Sequence, residues 1–380
     1  MELDGHLALL RSAAAEVAPD LRARALRIDA DPGGMDVHLD SPAIGLIRRL
    51  STPSAVNPDP IRLGGRALEG GSCLLVVIGL IELAYGDAAG VLALPGPALA
   101  GVVMHLLGDP EQQERFFQRI ADGRTWTFCA ITEPDVGSDA TRMSTTLVPD
   151  HGLVGVKRYI GNGTRGDVGV VFARTGKGPL AIRAMLVESP ATGWSARALP
   201  MIGLRGARLS EIELTGVPVA ERQLLGSHLP PTRRGMWGAI RVFSDMRTQI
   251  AAMAVGTSMA VCDYVRAART GWTRCERAEL DTAQAEIAAV RAMVYRTAAA
   301  VDAGPDHPGL AAAAKIEGVR LAKRMTTRLP RLLGRGALPE HPLLEKWWRD
   351  ASAFEFMEGT GNVQRLQVAR DHLRRREAAA

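Results

Sequence analysis

Apolar and polar positions follow a helical period over the first 125 residues of the 380-residue chain. This stretch is rich in Ala and Leu, and its pattern is interrupted at residues 53–60 and 64–71, where Pro or Gly recurs. The segment that starts at Pro110 has Pro in a first helical turn and acidic residues near the positive end of the helix dipole, which is typical of a helix start. We therefore predict a helical domain over residues 1–125.

The pattern changes at Trp126, and from there to about Thr232 Gly and Pro recur every few residues between short β-branched runs. Turn signals at this spacing favour a small β-barrel or sandwich. Strands are predicted at residues 167–173, 181–188 and 209–214. We assign residues 126–232 to a middle β-domain, and residues 226–236 have the composition of a linker.

A helical period returns at about Arg233. Five positions at three- and four-residue steps form one stripe: Ile287, Val290, Val294, Thr297 and Val301. The length without strong helix breakers favours a four-helix bundle over residues 233–380. The predicted fold class is α+β, with helices first, a β-domain in the middle and helices last.

Charge and hydropathy exclude several classes of protein. The formal net charge is +5, but Arg is spread along the chain among Asp and Glu, whereas a nucleic-acid-binding protein concentrates basic residues on one face or tail. The one dense cluster, residues 374–376, is interpreted as a solvated helix end, with an anionic partner as the alternative. A mildly basic chain also suits an anionic substrate.

Membrane insertion, export and metal binding are also disfavoured. Residues 88–108 are uncharged, but Pro95 and Pro97 interrupt them, so we predict a buried helix pair and no membrane span. The acidic start of the chain differs from a signal peptide, which makes a cytoplasmic location the expectation. The four cysteines form no C-x-x-C pair and no cluster with His, which argues against a zinc site or a disulfide framework.

The segment Thr132-Glu133-Pro134-Asp135-Val136-Gly137-Ser138-Asp139 carries the strongest chemical signal. A predicted strand over residues 127–131 leads into a Pro/Gly turn that exposes backbone N–H groups. The hydroxyls of Thr132 and Ser138 can then hydrogen-bond a planar polar ligand. From these residues alone, an ordinary turn stabilised by its own side chains is the alternative.

Two further segments occur in a fixed order after this turn: Lys157-Arg158-Tyr159-Ile160-Gly161-Asn162-Gly163 and Met357-Glu358-Gly359-Thr360-Gly361-Asn362-Val363-Gln364-Arg365. Together the three segments resemble the T-E-P-x-x-G-S-D, K-x-[WY]-I-[TS]-N-G and E-G-T-x-x-x-Q motifs of the acyl-CoA dehydrogenase family. The resemblance covers roughly residues 60 to 376, and it implies an FAD-dependent enzyme that dehydrogenates the α,β-bond of an acyl thioester.

The resemblance also implies a role for each matching residue. Glu358 is the base that removes the α-proton, Ser138 and Arg247 are expected to contact the substrate, and Arg247 is expected to open a helix at the substrate channel. The expected cofactor contacts are Ile131, Thr132, Gly137, Ser138, Tyr159, Ile160, Gly161, Thr360 and Asn362. A surface position at a helix start is the alternative for Arg247, and a capping or ion-paired role is the alternative for Glu358.

Other positions depart from the family pattern. Gly161 stands where the family has Thr or Ser, and Asn362 where Gln is common. The segments that contact the flavin phosphates are poorly matched, which leaves Arg274, Gly334 and Gly336 as candidates, with Arg277 besides. These departures indicate a divergent member, for example one in a biosynthetic pathway that takes an acyl group on a carrier protein.

The base needs a pKa raised into the working range. An apolar wall of Phe354, Phe356 and Met357 could raise the pKa of Glu358. The helix N-terminus that follows would lower this pKa, but the upward shift from burial is expected to be larger. Gly359 is expected to break one helix, and Thr360 to cap the next.

Two other functions remain open. One is a flavin-dependent monooxygenase or oxidase of the same fold, although such members often lack the glutamate of the E-G-T motif. The other is an inactive subunit that pairs with an active homologue. The partners implied by the family are an acyl-CoA or acyl-carrier-protein substrate, an acceptor such as electron-transfer flavoprotein, and further copies in a homodimer or homotetramer.

Overall fold

The computed structural model describes residues 5–63, 65–68, 70–137, 139–304 and 308–379. Within these ranges, the side chains at 63, 66, 179, 236–241, 378 and 379 are not described. Helices occupy both ends of the chain and strands the middle, so the predicted α+β order is confirmed.

The described residues of the first segment form five α-helices and a short hairpin. The helices are α1 (Gly5–Ala30), α2 (Pro42–Ser51), α3 (Cys73–Ala93), α4 (Ala98–Leu107) and α5 (Pro110–Arg119), and the hairpin strands are β1 (Arg62–Leu63) and β2 (Arg66–Ala67). The predicted start at Pro110 is confirmed, because Asp109 and Gln112 cap α5 reciprocally. Residues 94–97, which include Pro95 and Pro97, separate α3 from α4, and this confirms the predicted break in the apolar stretch.

One described helix, Cys73–Ala93, is apolar and long enough to cross a membrane by composition and length. In the folded chain, 78% of its most apolar window is buried inside the protein. The helix packs against α1 and against the C-terminal helices, so it serves as a core helix of this fold.

The middle segment is one mixed seven-stranded sheet. Its strands are β3 (Thr127–Ala130), β4 (Thr146–Val148), β5 (Gly152–Ile160), β6 (Val168–Arg174), β7 (Ile182–Glu188), β8 (Trp194–Ala198) and β9 (Ser210–Val217). The order is β3-β6-β4-β5-β9-β8, with β7 on the other edge of β6. The pairing of β3 with β6 is close at Gly169, where an added Cβ would lie 2.1 Å from the Phe128 carbonyl oxygen. The three predicted strands correspond to β6, β7 and β9.

The last segment consists of α6 (Gly235–Ala268), α7 (Arg274–Ala303), α8 (Pro308–Arg328), α9 (Ala337–Glu340), α10 (Pro342–Ala353) and α11 (Gly361–Ala379). The stripe predicted on α7 is buried at four positions and half-buried at Val290. The helices at the two ends of the chain share one hydrophobic core, in which side chains of α1 and α3 pack with those of α6, α7, α8 and α10. The C-terminal helices therefore complete their core with helices from the other end of the sequence.

Asp302, near the end of α7, caps the first turn of α3. Its carboxylate accepts hydrogen bonds from Ser72 Oγ (2.7 Å), Cys73 N–H (2.8 Å) and Leu74 N–H (3.0 Å). We expect Asp302→Ala to lower the free energy of unfolding by about 1–2 kcal/mol, because it removes a cap and a charge at the positive end of a helix. Urea unfolding measures the change. Asp281→Ala, at an exposed ion pair of the same helix, is the control, and an equal loss there would refute the capping role.

Candidate active site

The turn after β3 is tied to the neighbouring strand β5. Within the turn, the Glu133 N–H donates to the Val136 carbonyl (3.0 Å), and the Val136 N–H donates to the Glu133 carbonyl (3.3 Å). The Thr132 carbonyl accepts a hydrogen bond from the N–H of Arg158 (2.8 Å). The first and second sequence motifs therefore lie side by side, as the resemblance implies.

The residues predicted on this turn have different surroundings. Ile131 is buried, Thr132 is half-buried, Gly137 is exposed, and Ser138 lies outside the described residues. In the part of the chain that the structure describes, neither the N–H nor the hydroxyl of Thr132 has a hydrogen-bond partner. Both groups are thus available to a ligand.

A buried ion pair supports the turn. Lys157 Nζ lies 3.0 Å from Glu133 Oε1 and donates to the Ile131 carbonyl at 3.0 Å. Burial opposes ionisation of Glu133, but hydrogen bonds from Ser144 and Thr145 and the charge of Lys157 outweigh it and lower its pKa to about 2. Burial lowers the pKa of Lys157 to about 8, although Glu133 raises it. Because both charges are buried, removal of either would strand the other, and this fixes the turn.

The end of β5 presents alternating side chains. The Tyr159 ring is 53% exposed and the residue has a φ of 62°, whereas Ile160 is 2% exposed and belongs to the core of the sheet. The side chain of Ile160 therefore belongs to the core of the sheet, and the predicted contact of this residue with the cofactor stays a prediction. At Gly161 an added Cβ would meet only the Ala207 carbonyl oxygen within 4 Å, at 3.7 Å, so there is space beside the strand.

The third motif forms the turn between α10 and α11. Glu358 has a φ of 51° and Gly359 a φ of 92°, so the chain passes through the left-handed region at two consecutive residues. This conformation is unfavourable for a glutamate and persists only where the surroundings hold it. Gln364 Nε2 donates to the Glu358 carbonyl (2.9 Å) and the Gly359 carbonyl (3.2 Å), and Glu355 Oε1 accepts from the Gly361 N–H (2.8 Å).

The Glu358 carboxyl lies in an electrostatic setting that suits a base. Burial raises its pKa, while the cations of Arg247 and Lys315 oppose the rise. Burial also raises the pKa of the Cys129 thiol on β3, and the negative charge of Glu358 raises it further. The carboxylate is therefore within electrostatic range of the strand that leads into the 131–137 turn.

Arg247 also belongs to this site. It is half-buried, its Nε donates to the Glu358 carbonyl at 3.4 Å, and its guanidinium lies 5.6 Å from the centre of the Phe243 ring. Burial lowers the pKa of Arg247, against the effect of Glu358. The expectation that Arg247 opens a helix is wrong, because α6 begins twelve residues earlier at Gly235 and continues through this position.

The remaining residues of the third motif lie at the start of α11, and their predicted contacts with the cofactor stay predictions. Gly359 does separate two helices, and the Thr360 carbonyl accepts the Gln364 N–H (3.0 Å) in the first turn of α11. Asn362 is exposed, and its Oδ1 accepts a hydrogen bond from Arg365 of its own helix (2.7 Å).

The apolar wall expected around Glu358 does not form as a unit. Phe354 is fully buried in the shared helical core, Met357 packs against that core, and Phe356 is 74% exposed. Successive residues of a tight turn point in different directions, so three apolar residues in a row do not line one surface.

The two candidate phosphate-side segments are brought together by Arg269. Its guanidinium lies 4.0 Å from the centre of the Trp272 ring and donates to the Leu332 carbonyl at 2.9 Å. Arg274 is exposed at the first position of α7, and Gly334, with a φ of 103°, is exposed after the 3₁₀ turn at Leu329–Leu333. Gly336 is half-buried, and an added Cβ would lie 2.4 Å from Glu340 Oε1. Among the described residues, no hydrogen bond or ion pair links these segments to the 131–137 turn.

Sequence analysis missed the lysines of this site. The chain has 46 basic residues, of which five are Lys, and three of those five (Lys157, Lys315 and Lys346) are almost completely buried. A chain that otherwise uses Arg keeps Lys where a compact ammonium group is enclosed. This rarity is the signal that could have identified Lys315 beside Glu358.

Comparisons with known proteins agree with these motifs. A family model described as acyl-CoA dehydrogenase, middle domain, matches residues 129–217, and one described as acyl-CoA dehydrogenase, C-terminal domain, matches residues 233–373. The chain is 29% identical over 351 residues to cyclohexane-1-carbonyl-CoA dehydrogenase of Geobacter metallireducens, covering 88% of this chain and 90% of that protein. It is 26% identical over 326 residues to caffeyl-CoA reductase-Etf complex subunit CarC of Acetobacterium woodii, and the match covers 82% of this chain and 84% of that protein.

The fold agrees as well. The solved structure of a glutaryl-coenzyme A dehydrogenase glutaryl-CoA complex superposes with a TM-score of 0.84 at 22% identity, covering 98% of this chain and 96% of that one.

Proposed function

Because this chain belongs to the acyl-CoA dehydrogenase family, we propose that it removes two hydrogens from the α,β-bond of an acyl thioester, with Glu358 as the base and FAD as the cofactor. The observation that carries the proposal is the turn at Glu358, which Arg247 and Gln364 hold by hydrogen bonds to the Glu358 carbonyl (3.4 and 2.9 Å) and in which burial raises the pKa of the carboxyl. A carboxylate with a raised pKa is suited to take the weakly acidic α-proton near neutral pH.

The residues beside β3 and β5 fit a flavin ring. Thr132 offers an unpaired N–H and hydroxyl among the described groups, Tyr159 offers an exposed aromatic side chain, and Gly161 leaves open space where a side chain would stand. These are the polar and apolar contacts that a planar heteroaromatic ring requires. FAD, when bound, supplies the acceptor for the β-hydride.

The chain's own residues then have distinct tasks. Glu358 takes the α-proton onto its carboxylate. Arg247 and Lys315, both within range of that carboxylate, keep part of the Glu358 population ionised against the effect of burial. The Lys157–Glu133 pair holds the 131–137 turn in place. We extend the proposal to an acceptor of the electron-transfer flavoprotein type, a partner of the kind named for CarC.

The alternatives are less well supported. A partner subunit without activity has no need of a glutamate held in a left-handed turn by contacts from α6 and α11. An oxidase or monooxygenase that does not deprotonate an α-carbon likewise has no use for a carboxyl base at this position.

Anaerobic reduction of the purified protein by acyl thioesters tests the proposal. The FAD-loaded protein is expected to lose its yellow absorbance when a coenzyme A thioester or a carrier-protein thioester is added without oxygen. Both carriers are used, because each presents the same thioester carbonyl and α-carbon to Glu358. Protein that binds no FAD, or that stays yellow with thioesters and turns over only with oxygen and a reductant, would overturn the proposal.

A further inference from the structure

Lys315 is a buried cation directly beneath the turn that carries Glu358. It extends from α8, its side chain is 1% exposed, and its Nζ donates to the Glu355 carbonyl (3.1 Å) and to the Gly359 carbonyl. These two carbonyls bracket Glu358 in sequence. A single ammonium group thus joins both ends of the turn.

The turn needs such a donor because its carbonyls lie beyond the end of α10 and have no N–H group of that helix to bond. The last carbonyls of α10 lack intrahelical partners, as at any helix C-terminus, and an unpaired buried carbonyl is costly. Three helices supply donors from outside the turn: α8 through Lys315, α11 through Gln364 and α6 through Arg247. Among these three, only Lys315 bonds the carbonyls on both sides of Glu358.

The choice of lysine is informative. Arg outnumbers Lys 41 to 5 in this chain, since 46 − 5 = 41, yet a lysine occupies this enclosed position. An ammonium is compact and has three rotatable donors, whereas a guanidinium is a larger planar fork whose donor directions are fixed relative to one another.

The charged groups around Lys315 come from several elements. Glu355 and Glu358 lie on the turn, Arg247 on α6 and Lys323 on α8 itself. Burial lowers the pKa of Lys315 to about 8, and the two glutamates oppose that shift. In return, the positive charge of Lys315 lowers the pKa of Glu358 against the effect of burial.

We infer that Lys315 is a positioning residue of the active site, which clamps the 355–359 turn so that Glu358 presents its carboxylate toward β3. The clamp is independent of the substrate, and only its kinetic consequence rests on the proposed function. Lys315 acts through the turn and through the charge it places near Glu358.

Hydrogen–deuterium exchange of the full-length protein tests the clamp without any turnover. In Lys315→Met, which keeps the side-chain length but has no donor, the amides of residues 354–361 are expected to exchange at least about tenfold faster, since a hydrogen bond to a charged group is worth that factor in an equilibrium constant. In Lys315→Arg the exchange is also expected to rise. Lys323→Met is the matched control, because Lys323 is exposed on the same helix and lies 3.6 Å from the Glu355 carboxylate.

The pH profile of flavin reduction separates charge from geometry. Lys315→Met is expected to move the kinetic pKa of Glu358 upward, because the cation that lowers it is gone. Lys315→Arg keeps the charge and is expected to leave that pKa near its wild-type value while the rate falls. A residue that merely fills space would move neither the pKa nor the exchange of this turn selectively.

Two results would overturn the inference: exchange of residues 354–361 within about twofold of wild type in both Lys315 variants, or an equal increase in Lys323→Met. If no thioester reduces the wild-type protein, the proposed function fails, but the exchange experiment still decides the role of Lys315. If Lys315→Met does not fold, Lys315→Arg carries the exchange test.

Discussion

Glu358→Gln is expected to leave the protein folded and able to bind FAD, but to slow flavin reduction by an acyl thioester at least about 100-fold. Glutamine has the shape of glutamate, and the hydrogen bonds that hold this turn in place use the backbone carbonyl of residue 358, so the turn should survive the change. What is lost is the acceptor for the α-proton. Stopped-flow absorbance of the flavin under anaerobic conditions measures the rate.

The pH dependence should carry the same signature. Since the base must be ionised, the wild-type rate is expected to rise with pH through the pKa of Glu358, which burial raises above the ordinary carboxyl range. The residual rate of Glu358→Gln should lack that rise. Glu345→Gln, at a half-buried ion pair of α10, is the control and should reduce its flavin at the wild-type rate. Near-normal bleaching of Glu358→Gln would refute the role of the base.

Although Glu358→Gln is expected to lose activity, it should be at least as stable as the wild-type protein at high pH. A carboxyl whose pKa is raised in the folded state favours folding while it holds its proton, and this contribution is lost as pH rises through the folded pKa. At a pH above that folded pKa, the wild-type protein must hold an ionised carboxylate in a buried site, and Glu358→Gln removes this cost. We expect the variant to unfold at the same or a higher urea concentration than wild type at pH 8, so a loss of activity would not reflect a loss of fold.

Local features of the fold could be predicted because each is encoded by neighbouring residues. The start of α5 follows from Asp109, Pro110 and Gln112, and the break after α3 follows from Pro95 and Pro97. The three motifs could be identified for the same reason, since each is a short run of specific residues in a turn. Their adjacency came from the family resemblance, which no local pattern supplies.

Features that depend on distant contacts could not be predicted. The stripe on α7 indicates an apolar face, but not that α3 from the other end of the chain covers it. Phe356 belongs to an apolar run, which suggests burial. In the structure it is 74% exposed, because it lies in the tight turn that passes through the left-handed region at Glu358. Arg247 was expected at a helix start from the family resemblance, whereas in this chain α6 begins at Gly235 and continues through Arg247.

The burial of the lysines also depends on distant contacts and could not be predicted from the sequence pattern. Periodicity treats Lys as a surface residue, and burial of Lys315 or Lys157 is favourable only where carbonyls or carboxylates converge on the ammonium. That convergence is a property of the tertiary structure. In a chain with so few lysines, however, each one is a reasonable candidate for an enclosed role.

Lys346→Met is expected to lower the free energy of unfolding by about 3–5 kcal/mol, the largest stability effect we predict for a single substitution. The ammonium lies 2.5 Å from Asp87 Oδ2 and 2.7 Å from Asp350 Oδ2, and all three side chains are almost completely buried. Asp350 Oδ1 also accepts the Leu204 N–H (2.6 Å), so the cluster joins α3, α10 and the loop between β8 and β9. Without the cation, two carboxylates face each other inside the protein.

The loss should depend on pH in a defined direction. Burial raises the pKa of Asp350, Lys346 lowers it and Asp87 raises it, so removal of Lys346 raises it further. Because the pKa of Asp350 is raised in the folded variant, the free energy of unfolding falls at high pH, where Asp350 must ionise, and recovers at low pH, where Asp350 is protonated. We therefore expect the deficit relative to wild type to be largest near pH 8 and to shrink toward pH 5, as measured by urea unfolding at several pH values.

The matched control makes the same chemical change at a position that is not enclosed. Lys323→Met removes an exposed ammonium near Glu355 and should change the free energy of unfolding by less than about 1 kcal/mol. Asp350→Asn in the Lys346→Met background should recover part of the loss, because it removes one of the stranded charges while keeping an acceptor for Leu204. A deficit in Lys346→Met that is small, or that is the same at pH 5 and pH 8, would contradict the account of this cluster as a buried ionic connection between the three segments of the chain.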